Sequence, residues 1–485
     1  MQITQTQKKY KSILDLILLS ILLITACFSV GFHRGDEHYQ LLEFANYILG
    51  FSFDDQLCWE FAAQIRPSLQ PYFAALVIKI SMFFGVESPF VWATVMRLIT
   101  AVFSFYVIKR LIDYTHQEYK LNQLLLYVAY GTLWFFIYVS VRFSSETWSA
   151  LFIVLAFLEW DRSDKKDSMF LCIMAGVFAG LSFQMRYQTA IMSLGFLVWL
   201  VFVKKSNFKS IAELLLGFLI VLVLSTSLDT VFYGEFVFAP YNYFSVNLME
   251  DKVSSFGVSP WYHYFGDMLN KTYVVYGLVL LLGICVHSVK KQKSAFLFMV
   301  LPFVVFHFFI GHKEMRFMYP VIYFVPFYVA FAVSQILEML PRIKKVVFPL
   351  GVFVHVVLGG IMLYGVMFYS SKSFVKARNW LYDNARNGDV LYVINSNPYD
   401  RHMPFFFYKP KNHLEIYEVN SIEEMTEHKG QRVFLYSEIK RSDCEPCYPA
   451  EAELIFQSHP EFLTEYFNLN NWVSRTTIAK LQKIK

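Results

Sequence analysis

Apolar residues in this chain come in long runs, separated by short clusters of polar and charged residues. The first run covers 13–32. Others follow at about 89–108, 122–141, 146–160, 168–185, 188–203, 210–231, 272–289, 294–311, 317–337 and 346–369. A bilayer core about 30 Å thick takes about 20 apolar residues of helix, so the pattern predicts an all-α polytopic membrane protein with about eleven transmembrane helices. The first run is too long for a cleaved signal segment and carries Cys27 and Phe28 where small residues would be needed, so it reads as a retained span.

The basic residues support that count. Lys8, Lys9 and Lys11; Lys109, Arg110 and Lys120; Arg162, Lys165 and Lys166; Lys204, Lys205 and Lys209; Lys290, Lys291 and Lys293; and Arg342, Lys344 and Lys345 fall in every second connection. Cytoplasmic loops collect Lys and Arg, which puts the N-terminus inside. Residues 71–84 are apolar but short and contain Lys79. Counting them as a crossing would invert the alternation, so they read as a re-entrant or interfacial helix within a large outer first loop, 32–88.

An odd number of spans places 370–485 outside as well. There 388–394 and 432–436 read as buried strands, and 374–385 and 422–428 as helices. The predicted organisation is a transmembrane domain, 1–369, with outer loops 32–88 and 232–271, followed by a small α/β extracytoplasmic domain, 370–485.

Composition narrows the class. The chain has 485 residues, 56% hydrophobic and 17% charged, against roughly 45–50% and 25% in soluble domains, which excludes an ordinary soluble enzyme. Its net charge of +5 gives no reason to expect a nucleic-acid partner. Six cysteines are too few for a disulfide scaffold. Cys444 and Cys447 form half of a zinc-like pattern without a second pair, so a local disulfide or two thiols is the expectation there.

Polar residues gather on the predicted outer face in three segments: His33-Arg34-Gly35-Asp36-Glu37-His38, Trp59-Glu60 through Arg66, and His312-Lys313-Glu314-Met315-Arg316-Phe317. Charges at a membrane boundary are costly unless paired or used. Each segment taken alone also fits an interfacial anchor or ion pair, and the convergence of three on one face favours a site.

These residues carry a resemblance. Asp36-Glu37 at the exit of the first span resembles the signature of GT-C membrane glycosyltransferases. More narrowly, the chain resembles the mannosyltransferases of N-glycan and GPI-anchor assembly, which use dolichyl-phosphate-mannose. The likeness continues in order through Trp59-Glu60 and Ile65-Arg66, Arg142 with Ser145-Glu146, Asp229 with Tyr233-Gly234, Pro240-Tyr241-Asn242, Pro260-Trp261-Tyr262, and His312-Lys313-Glu314 with Arg316-Phe317, over about 12–320. It departs at the start, where His33-Arg34-Gly35-Asp36-Glu37 lacks the proline of the usual His-Pro-Asp-Glu and has one residue more.

The resemblance implies an inverting transfer of a hexose, mannose above all, from a polyprenyl-phosphate carrier to a hydroxyl of a glycan or glycolipid acceptor. Such a donor already has a good leaving group. The protein must position the hydroxyl, take its proton and stabilise the departing phosphate. Asp36 is the candidate base and Glu37 the neighbour to test next. His312, Lys313, Arg316 and Arg66 are candidates for the donor phosphate, with Arg142 and Arg186 behind them. Trp59, Glu60, Glu146, Tyr233, Trp261 and Tyr262 complete the candidate substrate-binding set together with Arg142. The aromatic residues among them also suit an interfacial belt.

No resident cofactor is called for beyond the lipid-linked donor. A divalent metal is possible but not required. A Gly-rich phosphate loop is lacking, which disfavours a nucleotide-sugar donor. The expected location is a multi-pass membrane protein with its site on the non-cytoplasmic face, a bacterial inner membrane being favoured and the endoplasmic reticulum its counterpart in a eukaryote. Two other classes fit the composition. A transporter or flippase of lipid-linked sugars would show mid-membrane charges and inverted repeats, and a non-catalytic subunit of a glycan-assembly complex would have no use for Asp36.

Overall fold

The computed structural model describes residues 5–272, 274–341, 344–369, 373–399, 405–426, 428, 430–440, 452–459, 466 and 477–484. Cys444 and Cys447 lie outside them. Two compact units are present: residues 1–26, 59–74 and 96–363 form one, and residues 27–58, 75–95 and 364–485 the other.

The first unit is helical. Each of the eleven apolar runs becomes helix. Among the described residues, six helices are long and apolar enough to cross a membrane: Lys9–Phe28, Pro89–Tyr119, Tyr187–Lys204, Phe208–Tyr233, Met315–Met339 and Phe348–Met367. Gln123–Thr132 and Trp134–Ser140 meet at a 71° bend and make a seventh if taken as one broken span. Met169–Met185, Val275–Lys290 and Ala295–Phe309 have 17, 16 and 15 residues, shorter than a full crossing. Ser145–Lys166 has the length, but its last turns hold Glu159, Asp161, Arg162 and Asp164.

Side-chain caps set where several helices begin. Asn122 accepts from the Leu125 amide, Ser144 from Thr147 and Asn207 from Ser210, each satisfying a donor the first turn leaves over. Without a hydrophobic effect between helices in lipid, close approach through small residues holds them together. Met169–Met185 and Phe208–Tyr233 show this reciprocally: a Cβ on Gly176 would strike the Leu214 carbonyl, and one on Gly217 the Ile173 carbonyl.

Ion pairs collect at one end of Ser145–Lys166. Glu159 binds Arg110 and Arg162, and Asp164 binds Lys204. Lys109 pairs with Asp15, and Lys11 with Asp113. Glu146 lies at the opposite end of the same helix, about 20 Å away at 1.5 Å per residue.

The second unit contains a five-stranded sheet in the order β2-β1-β3-β5-β4. β1 is Asp389–Ile394, β2 Leu414–Val419, β3 Val433–Lys440, β4 Glu453–Gln457 and β5 Thr477–Ile484. β1 runs parallel to β2 and β3, while β5 runs antiparallel to β3 and β4. All six residues of β1 are buried, as a central parallel strand requires. The helix expected at 374–385 is Ser373–Asn384. Of the one expected at 422–428, the described residues form only a 3-10 turn, Ile422–Glu424.

Candidate active site

Asp36 and Glu37 lie in the second unit. Asp36 is the residue before a π-helical turn, Glu37–Leu42, which continues as the α-helix Glu43–Ile48. Asp36 is half-buried and Glu37 buried, with its carboxylate accepting from the His33 amide at 3.2 Å. The Glu37 side chain thereby closes the loop ahead of the turn. His38 is fully buried, its Nε2 2.6 Å from Glu43 Oε1. Loss of water lowers the pKa of this imidazole despite the nearby carboxylate.

The first unit holds the remaining candidates. Arg66 pairs with Glu60 at 2.5 Å and lies over the Tyr243 ring. The backbone around it is pinned from Phe208–Tyr233 and the segment after it. Tyr233 donates its hydroxyl to the Arg66 carbonyl at 2.8 Å. Asp229, one turn earlier, accepts from both the amide and the hydroxyl of Ser68 at 2.7 and 2.6 Å. Asn242 donates to the Gln64 carbonyl, and Gln64 to Glu235.

Tyr243 also packs on Tyr187 and receives a hydrogen bond from Gln188, which brings the Arg66 group to Arg186. Arg186 is paired with Glu146 at 2.8 Å, both side chains almost fully enclosed. The same guanidinium lies over Phe317 at 5.5 Å, and Arg316 lies over that ring as well. Glu314 holds Arg316 at 2.7 Å and His312 at 3.2 Å. Lys313 is buried and donates to the Ile310 carbonyl, with desolvation lowering its pKa.

Arg66, Arg186, His312, Glu314 and Arg316 thus form one group joined through Tyr243, Tyr187 and Phe317, with Lys313 beside them in the chain. Arg142 is buried against Tyr138. Trp59 stacks on Phe256, which also meets His312. Trp261 and Tyr262 are exposed and touch each other; the loop bearing them is tied to the cationic turn where the Ser259 amide meets the Gly311 carbonyl. Arg97 donates to the Ala26 carbonyl, a structural hydrogen bond.

Several contributors escaped the sequence reading. Ser68, Tyr187, Gln188 and Tyr243 have no charge or spacing to mark them. Asp229, a lone acid near the end of an apolar run, was visible as part of the resemblance but had no role assigned. Among the described residues no three His, Cys, Asp or Glu side chains stand together as metal ligands.

A profile of the Alg9-like mannosyltransferase family matches residues 14–404. The chain is 25% identical over 363 residues to GPI mannosyltransferase 3 of Debaryomyces hansenii, an alignment covering 71% of this chain and 63% of that protein. It is 24% identical over 294 residues to GPI mannosyltransferase 3 of Candida albicans, covering 60% and 57%. The matched part thus spans less than two thirds of these relatives' own length. Both are fungal proteins, and they give no support to the bacterial inner membrane favoured from the sequence.

Among solved structures, the fold is similar to that of ArnT from Cupriavidus metallidurans bound to undecaprenyl phosphate, with a TM-score of 0.54, 10% identity and 98% of each chain covered. At that identity the likeness is one of fold. Since the family profile extends from the first helix into the second unit, this multi-pass chain belongs to the Alg9-like mannosyltransferase family.

Proposed function

We infer that the protein is an inverting mannosyltransferase that moves one mannose from a polyprenyl-phosphate carrier to a hydroxyl of a glycan or glycolipid on the non-cytoplasmic face of its membrane. The observation that carries this reading is the group of Arg66 over Tyr243 and of Arg186 and Arg316 over Phe317, with Lys313 on the same turn as Arg316, in a chain of this family. These cations answer the main demand of the chemistry. As the bond from the anomeric carbon to the phosphate oxygen breaks, that oxygen gains charge. Fixed guanidinium and ammonium groups stabilise it without reorganising at the moment of reaction.

The pairings matter to this role. Glu60, Glu146 and Glu314 neutralise part of the positive charge and aim the guanidinium planes; Arg66 and Arg316, the less enclosed of the three, meet the phosphate, and Arg186 adds its charge from behind Phe317. The acceptor oxygen attacks the anomeric carbon from the side opposite the leaving phosphate. A new carbon–oxygen bond forms as the old one breaks, and the hydroxyl proton passes to the Asp36 carboxylate. The ArnT structure with its bound undecaprenyl phosphate supports a lipid phosphate as the leaving group. The exposed Trp59, Trp261 and Tyr262 suit contact with sugar and prenyl chain.

The test is sugar transfer in proteoliposomes from a synthetic polyprenyl-phosphate-mannose. Asp36→Asn is expected to lower kcat by about 10²–10⁴-fold, the range of a positioned general base, with protein yield and melting temperature unchanged. Transfer at the wild-type rate would remove Asp36 from the mechanism.

A further inference from the structure

The second unit contains a buried latch that this reading of the reaction leaves unused. The Glu43 backbone amide donates to the His38 carbonyl, the five-residue step that defines the π turn. In an α-helix, side chains five apart diverge by about 140°. The π turn instead stacks them, so the Glu43 carboxylate reaches back to the His38 ring at 2.6 Å. The same Glu43 oxygen accepts from the Phe407 amide at 3.0 Å. One carboxylate oxygen therefore joins the turn that begins at Asp36 to a segment more than 360 residues away in sequence.

That segment, 405–408, encloses His38. Phe405 lies 4.5 Å from the imidazole, Tyr408 is stacked at 5.4 Å and Phe407 meets its edge at 6.1 Å. Arg378 of the Ser373–Asn384 helix, itself fully buried, donates to the Phe405 carbonyl at 3.2 Å and lies over the Phe405 and Tyr399 rings. Lys409 continues the attachment by donating to the Phe51 carbonyl at 2.8 Å. Solvation alone does not call for a histidine and a glutamate buried here, because the rings around them would pack as well on an apolar pair. Their presence makes sense if they specify one placement of the turn.

We propose that Glu43 and His38 are positioning residues, through which the C-terminal domain fixes the Asp36 carboxylate in the orientation needed to receive the acceptor proton. The proposal rests on Asp36 acting as the base. Misplacing a reacting group by about 1 Å can cost about 10²-fold in rate, so a latch two residues from Asp36 acts mainly on kcat.

The full-length protein in proteoliposomes, assayed with polyprenyl-phosphate-mannose, decides the matter. Glu43→Ala is expected to lower kcat by about 10²-fold and leave the donor KM within about twofold. Glu43→Gln, which retains the acceptor oxygen, should recover most of that loss. His38→Phe fills the ring space without the hydrogen bond and guards against a folding artefact, and it should resemble Glu43→Ala. Adding Glu43→Ala to Asp36→Asn should cost almost nothing more, because a latch that acts through Asp36 has nothing left to orient.

A full further loss in the double variant, or a wild-type kcat in Glu43→Ala, would overturn the latch while leaving the role of Asp36 standing. Wild-type transfer by Asp36→Asn would instead defeat the base assignment, and the latch as a device for that base would fall with it.

Discussion

Removing the Glu146 carboxylate is the sharpest test of how the cationic group is held. Its partner Arg186 has a side chain only 4% exposed, donates to Glu146 at 2.8 Å and contacts the Ser145 hydroxyl at 3.3 Å. In Glu146→Leu the guanidinium keeps that hydroxyl and the face of Phe317. A cation over an aromatic ring contributes about 0.5–2 kcal/mol, whereas breaking a buried ion pair from one side costs about 3–5 kcal/mol. The ring contact is present before and after the change and offsets none of it, so the expected loss is about 3–5 kcal/mol.

Arg186→Met leaves the carboxylate with the Ser145 hydroxyl at 3.2 Å in place of a buried cation and should cost at least as much. The double variant Glu146→Leu/Arg186→Met removes both charges, and such replacements are often neutral or stabilising. It should melt within about 1 kcal/mol of wild type while losing donor binding. The assay is the melting temperature of the detergent-solubilised protein, read by loss of the monodisperse peak on size exclusion, together with the donor KM. Single variants as stable as wild type, or a double variant less stable than either, would refute the argument that Arg186 is held chiefly by Glu146.

Two further outcomes follow from the same geometry. Asp229→Ala frees the Ser68 amide and hydroxyl, loosening the backbone that carries Arg66; the donor KM should rise about tenfold, and Asp229→Asn, which can still accept from Ser68, should fall between the two in a KM titration. Burial holds the His38 pKa below 6.5 and the His459 pKa at about 4, so on acidification the unfolded chain takes up these protons before the folded one does. Stability is fully present above pH 6.5 and is lost as pH falls from there through the folded values; melting curves between pH 7 and 4 should show this decline, with a shallower slope in His459→Gln and a flat profile contradicting the burial.

The chain disclosed its helices more readily than its contacts. Every apolar run is helical because lipid leaves the backbone few other ways to satisfy its own hydrogen bonds. The break at Leu133 lies inside 122–141, where Gly131 two residues earlier was the one local sign of it and no Pro reinforced it. β1 was legible as a continuous apolar run. β2 was not, since Leu414–Val419 alternates too briefly among charges to stand out from a loop. Arg142, Ser145 and Glu146 were recognisable as a motif, but the partner of Glu146 is Arg186, forty positions later, and nothing local announces that pairing. The turn before His38 was read as a pair of acids, while the acid that organises it is Glu43, whose role depends on a backbone geometry that sequence periodicity does not report.

That geometry also bears on the length of the chain here. A π turn can be viewed as an α-helix carrying one surplus residue, absorbed within a single turn. Deleting a residue between His38 and Glu43 would turn their five-residue step into the four-residue step of an ordinary helix, which still puts both side chains on one face. Relatives one residue shorter in this stretch should therefore keep the pair in contact with no π turn at all.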